Sequence, residues 1–578
     1  MDNRTIARCL HEIADILEIK GENSFRIRSY RVAAETIEAA GEDLASRIRR
    51  SESIKHLPGI GTSMEQKVQE LVGSGSCAYH RELLAEVPEG LLELLKLPGL
   101  GPRGVNLVWT KLGVKSIADL EAAIRDGRFK TLPGMKEKKE ARILKGIEER
   151  RQTQTRFLLP VVADAATKLK QLLLDTGAAR VEVAGSFRRQ RESIGDLDLI
   201  AVGGDPEALA RAFTTHADVK EILVGGGAKC SVVLTSGLQV DLRFSTAEQL
   251  GAALQYFTGS KTHNVALRER AVKRGLKLNE YGLFEVEGGA SRAGVREEDI
   301  YEALGLAWVP PELREGRGEI EAAEARTLPR LVERGDVKGD LHVHTQESDG
   351  RDTLDDMIAA AQKRGLEYIA ITDHSRAIPS PKRGTGMDEA RCLEHIARIR
   401  AAQARFPDIR LLAGIEVCIL PDGRLDMADE VLAQLDVVVA SLHSRFDMEP
   451  DVVTDRVLRA FENPYMKIWG HPLGRLLLKR DPVQVDIERV TASAAERGIA
   501  LEINCQPDRL DAPDPMIRTA AQKGVRFVIS TDSHATTAFD NLVYGVGQAR
   551  RGWLRREDVL NTRPVEEFLG ALRRPAHA

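Results

Sequence analysis

The amino-acid sequence predicts a multidomain protein in which an all-helical region, a mixed α/β region and a βα barrel follow one another. Three observations carry this prediction. Glycine-containing turns separate helical stretches in residues 1–150, and strand-like runs with regularly spaced aspartates appear in residues 155–310. From about residue 337 onwards, apolar runs repeatedly end in histidine or an acidic residue. A length of 578 residues fits several domains.

The composition narrows the class of protein. No apolar run is long enough to span a bilayer, and the first residues, MDNRTIARCL, lack the apolar stretch of a secretory signal peptide. We therefore expect a cytoplasmic protein with no membrane contact. The six cysteines are scattered without a Cys-x-x-Cys pair, which argues against a thiolate metal site. The formal net charge of −4 gives no global signature of nucleic-acid binding.

The helical region contains three Leu-Pro-Gly turns, and two of them, LPGIG (57–61) and LPGLG (97–101), have a second glycine. Glycine permits positive φ, and the helix that follows offers free amide N–H groups to a phosphate. One copy alone would be assigned to an ordinary turn, but two good copies resemble the helix-hairpin-helix motif. The third copy, LPGM (132–135), lacks the second glycine. The resemblance implies sequence-independent DNA binding through Gly59, Gly61, Gly99 and Gly101.

The α/β region contains the segment GSFRRQRESIGDLDLI (185–200). Asp196 and Asp198 alternate on a predicted strand, so that both carboxylates lie on one face, and Asp241 lies on another predicted strand. Three close carboxylates repel one another unless cations join them. Such a set can hold two Mg²⁺, the arrangement used for phosphoryl transfer. With the preceding Gly-Ser turn, this pattern indicates a nucleotidyltransferase.

The C-terminal third repeats an apolar run that ends in ligand chemistry. Such runs between helical stretches predict buried parallel strands, whose C-terminal ends are where a βα barrel gathers its active site. A single histidine of this kind would be assigned to packing, whereas six strand ends favour a metal centre. The side chains concerned are Asp340, His342, His344, Asp349, Asp373, His374, Glu416, His443, His471, Asp532 and His534. Imidazole and carboxylate groups together suit Zn²⁺ or Mn²⁺.

Together these motifs resemble bacterial family X DNA polymerases, in which a polymerase-beta-like core precedes a PHP (polymerase and histidinol phosphatase) domain. The resemblance covers nearly the whole chain and includes YFTGSKTHNVALRERAVKRGLKLNEYGLF (256–284), which matches the nucleotide-binding region. It implies an α/β palm and thumb and a distorted (β/α)7 barrel. The implied domains are a lyase-like helical domain at 1–80, a fingers-type hairpin domain at 81–152, the palm and thumb at 153–312, a linker at 313–336 and the PHP phosphoesterase domain at 337–578.

The resemblance also implies roles in the palm and thumb. Tyr256 would be a steric gate against a ribose 2′-hydroxyl, although without the following Gly-Ser its pairing with Phe257 would indicate core packing. Ile194 departs from the vertebrate pattern, which has a phosphate-contacting serine there. The metal carboxylates would be Asp196, Asp198 and Asp241, the triphosphate contacts Ser186, Arg189 and Gly195, the sugar pocket Tyr256, Phe257 and Gly259, and the base and template contacts Asn264 and Arg268.

For the barrel, the resemblance implies a centre of up to three ions, and all nine ligands match. The first ion would have His342, His344, Glu416 and Asp532, the second Glu416 as a bridge with His443 and His471, and the third Asp349, His374 and His534. Zn²⁺ or Mn²⁺ suits this set better than Mg²⁺. Asp340, Asp373 and Arg445 would support the ligands or contact phosphate.

Lys67 raises a separate question. It aligns with the Schiff-base lysine of the eukaryotic 5′-deoxyribose-phosphate lyase, and Tyr30 and Lys55 also match that site. Arg26 and Ser63 stand where that enzyme has lysines, and fewer lysines mean that neighbouring positive charge would lower the pKa of the Lys67 amine less than in that enzyme. A lyase nucleophile and a plain surface lysine are therefore equally good interpretations of Lys67.

We expect a monomeric repair polymerase that uses dNTPs and Mg²⁺ at gapped or nicked DNA, with a Zn²⁺- or Mn²⁺-dependent 3′→5′ exonuclease in the barrel. Three alternatives are a histidinol-phosphate-type phosphatase with a DNA-targeting front half, a DNA-bridging scaffold, and a nucleotidyltransferase acting on RNA or small molecules. The complete palm triad argues against the first, and the two metal constellations argue against the second. The hairpins and the Tyr-Phe pair argue against the third.

Overall fold

The computed structural model describes residues 3–39, 44–50, 52–74, 77–88, 90–95, 97–154, 156–226, 229–377 and 386–572. The chain forms two compact units, Met1–Gln154 and Thr155–Ala578. None of the helices in these described ranges is long and apolar enough to cross a membrane.

The first unit is entirely helical in its described part. Apolar residues recur at helical spacing, as in Ile6, Leu10, Ile13 and Leu17, and all four are fully buried. Its helices are α1 (Asn3–Ile19), α2 (Ser24–Ala39), α3 (Leu44–Arg49), α4 (Thr62–Ser74), α5 (Ala78–Glu86), α6 (Gly90–Leu95), α7 (Pro102–Leu112), α8 (Ile117–Arg125) and α9 (Glu137–Gln154), with a 3₁₀ turn at Phe129–Thr131.

The α/β region that the sequence predicts to be the palm begins the second unit. Its five-stranded sheet has the order β2-β4-β7-β6-β5, with β4 and β7 parallel and the other neighbours antiparallel. A two-residue strand, β1, pairs with β3 beside this sheet. The elements are β1 (Phe157–Leu158), α10 (Leu159–Asp175), β2 (Arg180–Val183), α11 (Gly185–Arg188), β3 (Ser193–Ile194), β4 (Asp196–Val202), α12 (Pro206–Thr214), β5 (Val219–Val224), β6 (Lys229–Leu234) and β7 (Gln239–Ser245).

The thumb follows with α13 (Leu250–Thr258), α14 (Lys261–Lys273), β8 (Leu276–Asn279), β9 (Gly282–Glu285), β10 (Ser291–Ala293) and α15 (Glu297–Ala303). A buried ion pair joins it to the palm, because Arg188 donates from both terminal nitrogens to Glu297 at 2.9 and 2.6 Å. Glu297 also accepts from the fully buried Arg314 at 2.7 Å. Residues 311–336 contain α16 (Glu319–Glu324) between 3₁₀ turns at Pro311–Leu313 and Arg334–Asp336.

Seven parallel strands in sequential order then form the barrel. A parallel bridge between Val343 and Ser533 nearly closes it, which confirms the predicted (β/α)7 class. The strands are β11 (Gly339–Val343), β12 (Tyr368–Ile371), β13 (Arg410–Cys418), β14 (Val437–Ser441), β15 (Ile468–Trp469), β16 (Ala500–Asn504) and β17 (Phe527–Ser530). The helices are α17 (Leu354–Lys363), α18 (Glu389–Ala402), α19 (Asp429–Leu432), α20 (Pro450–Ala460), α21 (Ile487–Arg497), α22 (Asp514–Gln522), α23 (Leu542–Arg551) and α24 (Val565–Ala571), with 3₁₀ turns at Thr536–Asn541, Arg556–Asp558 and Leu560–Thr562.

Candidate active sites

The palm carboxylates lie on the two adjacent strands β4 and β7, under the Gly-Ser turn. Asp198 on β4 and Asp241 on β7 are direct partners in the parallel register, and Asp196 is two residues earlier on the same face. Gly185 has φ +64°, and a Cβ there would lie 2.3 Å from Asp198 Oδ2. Only glycine therefore lets the turn approach the carboxylate this closely.

The charges of this cluster fit a cation site. Burial, together with Asp196 and Asp241, raises the pKa of Asp198 to about 7. Such a raised pKa is the response of close carboxylates that lack a countercharge. Lys229 supplies part of the missing positive charge, because its Nζ lies 2.6 Å from Asp241 Oδ2. Burial would raise the pKa of Asp241, but hydrogen bonds from Lys229, Ser231 and Gln239 hold it below its usual value.

The predicted triphosphate contacts lie on the turn after β2. Arg189 donates from Nε to Glu315 Oε1 at 3.1 Å and from Nη1 to the carbonyl of Thr258. A Cβ on Gly259, which has φ +71°, would lie 3.1 Å from Arg189 Nη1, so this glycine lets the thumb backbone meet the arginine. Ser186 and Gly195 flank Arg189 along the chain and are partly exposed.

The predicted sugar and base contacts lie on α13 and α14. The rings of Tyr256 and Phe257 are half-buried and pack edge to face, with centroids 5.1 Å apart. Asn264 donates to the carbonyl of Tyr256 at 2.7 Å and accepts from Gln255 at 2.7 Å, so its amide is held beside the ring pair. Arg268 is exposed one turn further along α14.

Ile194, where the vertebrate enzyme has a serine, is fully buried in the palm core. Its side chain therefore packs, and offers no hydrogen bond to a triphosphate.

In the barrel, Glu416 lies at the centre of the predicted ligands. Its Oε2 lies 3.2 Å from His342 Nε2 and 2.8 Å from His374 Nδ1. Its Oε1 lies 3.1 Å from His443 Nε2 and 2.9 Å from His471 Nε2. A single buried carboxylate thus contacts histidines from all three predicted ligand sets, as a bridging ligand would.

The nine predicted ligands come together in overlapping groups. Among the described residues, the sets of three or more ligand side chains whose ligand atoms lie within 4.8 Å of one another all belong to the barrel. These sets are His342, His344 and Asp532; Glu416, His443 and His471; and His344, Asp349, His374 and His534. His344 thus belongs to two of them, whereas the sequence assigned it to one ion.

The chemistry of these groups fits metal ions. Buried atoms of His342, His344, Asp349, His374, Glu416, His443 and His471 have no hydrogen-bond partner, an expensive arrangement unless a ligand satisfies them. Burial lowers the pKa of His344 to about 3, with His534 and His374 adding to the effect. Burial likewise lowers the pKa of His443 to about 4. Neutral imidazoles of this kind are the form that binds metal. At His374, although burial opposes it, Glu416 and Asp349 instead raise the pKa to about 10, so a cation bound there would displace a proton.

A supporting layer surrounds the ligands. Glu502 and Asn504 on β16 were not predicted. Glu502 Oε1 lies 2.7 Å from His342 Nδ1, and Asn504 donates to Asp532 Oδ2 at 3.0 Å. These contacts orient the ligands. The strand ALEINC is a seventh apolar run with two alternating polar residues, a signal that was available in the sequence.

The predicted supporting residues occupy distinct places. Asp340 accepts hydrogen bonds from the backbone and hydroxyl of Thr531. Asp373 accepts from Thr345 and Ser348 and lies 2.9 Å from His395 Nε2, a contact that the sequence did not predict. Arg445 is exposed two residues after His443, with φ +56°.

The first glycine of each Leu-Pro-Gly turn has the positive φ that the sequence predicts, whereas Gly101 is extended, with φ −82°. Gly59 and Gly99 have φ of +79° and +90°, and Gly134 in the third turn has +75°. A Cβ on Gly61 or Gly101 would meet nothing within 4 Å, so the starts of α4 and α7 are open to a ligand. The third turn thus has the same bend although it lacks the second glycine.

Lys67 lies on the exposed face of α4 in the first unit. Its Nζ donates to Ser63 Oγ at 2.9 Å and lies 5.3 Å from the ring centroid of Tyr79. Tyr79 stacks against Tyr30, with centroids 6.2 Å apart. Lys55 pairs with Glu65 at 3.4 Å.

Comparison with known proteins agrees with this anatomy. Family models match residues 1–77 (helix-hairpin-helix domain), 91–149 (SAM-like helix-hairpin-helix tandem), 253–315 (DNA polymerase beta thumb) and 340–506 (PHP domain). The DNA polymerase/3′-5′ exonuclease PolX of Bacillus subtilis is 35% identical over 577 residues, which is 99% of this chain and 100% of that protein.

Part of the chain also resembles smaller proteins. A probable phosphatase of Thermoanaerobacter sp. (strain X514) is 28% identical over 244 residues, or 40% of this chain and 93% of that protein. A probable phosphatase of Acetivibrio thermocellus is 31% identical over 205 residues, or 34% of this chain and 78% of that protein. Because the similarity to the Bacillus subtilis protein runs through hairpins, palm, thumb and barrel alike, the chain belongs to the family X DNA polymerases that carry a C-terminal PHP domain.

Proposed function

We propose that this chain is a DNA-directed DNA polymerase that fills short gaps during repair, and that its barrel degrades DNA from the 3′ end. The observation that carries the polymerase is Asp198, which lies beside Asp196 and Asp241 under the Gly185 turn. The name of the Bacillus subtilis relative states both activities, and the full-length similarity supports both.

In the palm, Asp196, Asp198 and Asp241 would hold Mg²⁺. When bound, two such ions supply a clamp for the attacking and leaving oxygens of an in-line displacement. The protein's own part is to position the carboxylates: the β4–β7 register sets their spacing, and Lys229 holds Asp241 in its ionised, acceptor form.

Arg189 would bind the incoming triphosphate. Its described hydrogen bonds use Nε and Nη1, so Nη2 remains for a phosphate oxygen. Ser186 and Gly195 would line the same side, and Tyr256, Phe257 and Gly259 the deoxyribose. Asn264, fixed by its bonds to Gln255 and Tyr256, would face the base edge, and the exposed Arg268 the template strand.

The hairpin turns would hold the DNA backbone at a gap or nick. The open helix starts after Gly61 and Gly101 present backbone N–H groups, which bind phosphate without reading sequence.

The barrel would hold up to three Zn²⁺ or Mn²⁺ ions on its nine ligands. Bound ions there supply a hydroxide nucleophile and neutralise phosphate charge. Glu502 and Asn504 keep His342 and Asp532 in place, and the exposed Arg445 is available to the scissile phosphate.

A phosphatase acting on a small phosphate ester is the second candidate for the barrel. The observation in favour of this candidate is the similarity of part of this chain to two probable phosphatases. The palm and hairpins favour DNA as the substrate, because a small-molecule phosphatase has no use for either.

The polymerase is tested on a 5′-phosphorylated duplex with a one-nucleotide gap. With Mg²⁺ and dNTPs we expect the wild-type chain to extend the primer by one nucleotide and Asp196→Ala to extend it by none. Asp218→Ala, which changes an exposed palm aspartate, is the matched control and should behave as wild type. Equal extension by Asp196→Ala and wild type would show that the triad assignment is wrong.

The barrel is tested by elemental analysis and by degradation of a 3′ end. His344→Ala should lower the bound metal and eliminate degradation, whereas His216→Ala, on a histidine outside the barrel, should do neither. Hydrolysis of histidinol phosphate without action on DNA ends would favour the phosphatase. Full metal content with neither activity would mean that the barrel is structural.

A further inference from the structure

One carboxylate gathers three arginines where the palm meets the barrel. Glu315 accepts from Arg189 Nε at 3.1 Å, from Arg191 Nη1 at 3.4 Å and from Arg551 Nη1 at 2.9 Å. The side chains of Glu315 and Arg189 are only 10% and 13% exposed. Although burial opposes it, Arg189 and Arg551 hold the pKa of Glu315 below its usual value. Arg189 is therefore oriented by Glu315, which also accepts a hydrogen bond from the barrel residue Arg551.

Arg551 is the barrel's contribution to this cluster. It is the last residue of α23 and is 2% exposed. Besides Glu315, its Nη1 donates to the carbonyl of Arg189 at 2.9 Å. Its Nη2 donates to Asp514 Oδ2 at 3.1 Å, and Asp514 also pairs with Arg317 at 2.5 Å. Arg551 thus holds both the main chain of Arg189 and the carboxylate that orients its side chain.

The next palm residue also rests on α23. Gln190 has φ +54°, and a Cβ on Gly547 would lie 2.8 Å from its Oε1. The palm core itself includes Leu510 from the barrel, with Leu477 and Tyr544 packed against it. Glu192, two residues after Gln190, pairs with Arg475 of the barrel at 2.8 Å. Three residues of the segment that follows β2, Arg189, Gln190 and Glu192, therefore contact the barrel.

We propose that Arg551 is a positioning residue for the polymerase's nucleotide site, so that the PHP barrel shapes dNTP binding through Glu315 and Arg189. This inference rests on the proposed role of Arg189 as a triphosphate contact. The barrel then has a second role, independent of its metal centre, as a scaffold for the palm.

The expected effect of losing Arg551 on dNTP binding follows from the geometry of the cluster. An arginine held by a fork of fixed hydrogen bonds meets phosphate in one orientation, so a guanidinium that loses part of its support binds phosphate less tightly. Without Arg551, Glu315 keeps two arginines and the Arg189 carbonyl loses its donor, so the guanidinium is less well fixed but still present. We expect the KM for dNTP to rise about tenfold with kcat changed less than threefold, because triphosphate contacts act in the ground and transition states alike.

The test measures single-nucleotide gap filling by the full-length protein over a range of dNTP concentrations. Arg551→Met keeps most of the volume and removes the donors. The matched control is Arg550→Met: Arg550 is adjacent and pairs with Glu312 across the same contact at 2.7 Å, but does not touch Arg189. We expect a tenfold higher KM for Arg551→Met, a change below twofold for Arg550→Met, and partial recovery in Arg551→Lys.

Two further variants make the outcome decisive. Arg189→Met should raise the KM by itself, and Arg189→Met combined with Arg551→Met should be no worse, because Arg551 acts through Arg189. If Arg189→Met leaves the KM unchanged, the proposed triphosphate contact is wrong. If Arg189→Met raises the KM but Arg551→Met does not, or if their effects simply add, the positioning role is wrong. If Arg551→Met shows no cooperative thermal unfolding transition, Glu315→Gln replaces it in the test. Glu315→Gln keeps the side-chain volume and removes the charge that the three arginines share, and it should likewise raise the KM for dNTP.

Discussion

The Gly185 turn allows a sharp test of the palm site, through Gly185→Ala. Gly185 has φ +64°, and an added Cβ would lie 2.3 Å from Asp198 Oδ2 and 3.2 Å from its Cγ. Ordinary contacts begin at 3.4 Å, so the carboxylate must retreat by 3.4 − 2.3, or about 1 Å. A carboxylate at the end of a side chain can do so at little cost to folding, but it then leaves the position in which it would bind a metal ion.

Gly185→Ala should have two separate effects, a loss of folding stability and a loss of reaction rate. Holding alanine in the left-handed region costs about 1–2 kcal/mol of stability. Displacing a catalytic group by about 1 Å costs about 100-fold in rate, equivalent to about 2.7 kcal/mol of activation free energy. Gly275→Ala separates the two effects, because Gly275 has φ +69° and a Cβ there would meet nothing within 4 Å.

The assay is single-turnover gap filling with saturating dNTP and Mg²⁺, with 3′→5′ degradation as a measure of intact protein. We expect Gly185→Ala to extend about 100-fold more slowly and to degrade DNA normally. Gly275→Ala should lose a similar amount of stability and keep its extension rate within about threefold. A Gly185→Ala rate within threefold of wild type, or an equal loss in Gly275→Ala, would refute the argument.

Three further predictions follow from the same structure. Tyr256→Ala should narrow the preference for dNTP over rNTP at least about tenfold in kcat/KM, and an unchanged ratio would leave Tyr256 a packing residue. Binding of the full-length chain to gapped duplex should weaken linearly with the logarithm of salt concentration and be the same for unrelated sequences; salt-insensitive or sequence-specific binding would contradict backbone contacts through the hairpins. In EDTA, Asp198→Asn should stabilise the protein at pH 8 by up to about 4 kcal/mol, because the folded-state pKa of about 7 exceeds the ordinary 3.8 and each pKa unit corresponds to about 1.4 kcal/mol. Between these two values the carboxyl ionises in the unfolded chain but not in the folded one, so the advantage of the variant should fade as the pH falls from 7 towards 4. A constant or reversed advantage in thermal unfolding would show that Asp198 carries no such strain.

Local patterns in the sequence were sufficient for much of this site. The two-residue spacing of Asp196 and Asp198 places both on one strand face, and the positive φ of Gly59 and Gly99 is what a Leu-Pro-Gly turn between helices requires. Most of the predicted barrel ligands were proposed because they follow the ends of apolar strands, and the structure brings them together. These features depend on residues close together in the chain, where periodicity and turn chemistry decide the structure.

Contacts between distant segments could not be found in this way. Lys229 meets Asp241 because β6 and β7 pair in one register, which is set by packing of the whole palm sheet. The bond from Arg551 to Glu315 joins residues 236 positions apart and depends on how the palm packs on the barrel. Glu502 was missed for a different reason, since its strand ends in Asn-Cys and did not match the histidine-or-acid pattern.

The central claim is that one chain carries two separate metal-dependent sites, one that lengthens a primer and one that shortens it. The most direct measurement follows a labelled primer in a one-nucleotide gap, with wild type, Asp241→Ala and Glu416→Ala side by side, in Mg²⁺ with dNTPs and in Mn²⁺ without them. Asp241→Ala should only shorten the primer, Glu416→Ala should only lengthen it, and wild type should do both. Loss of both activities in either variant, or loss of the same activity in both, would contradict the assignment of two independent sites.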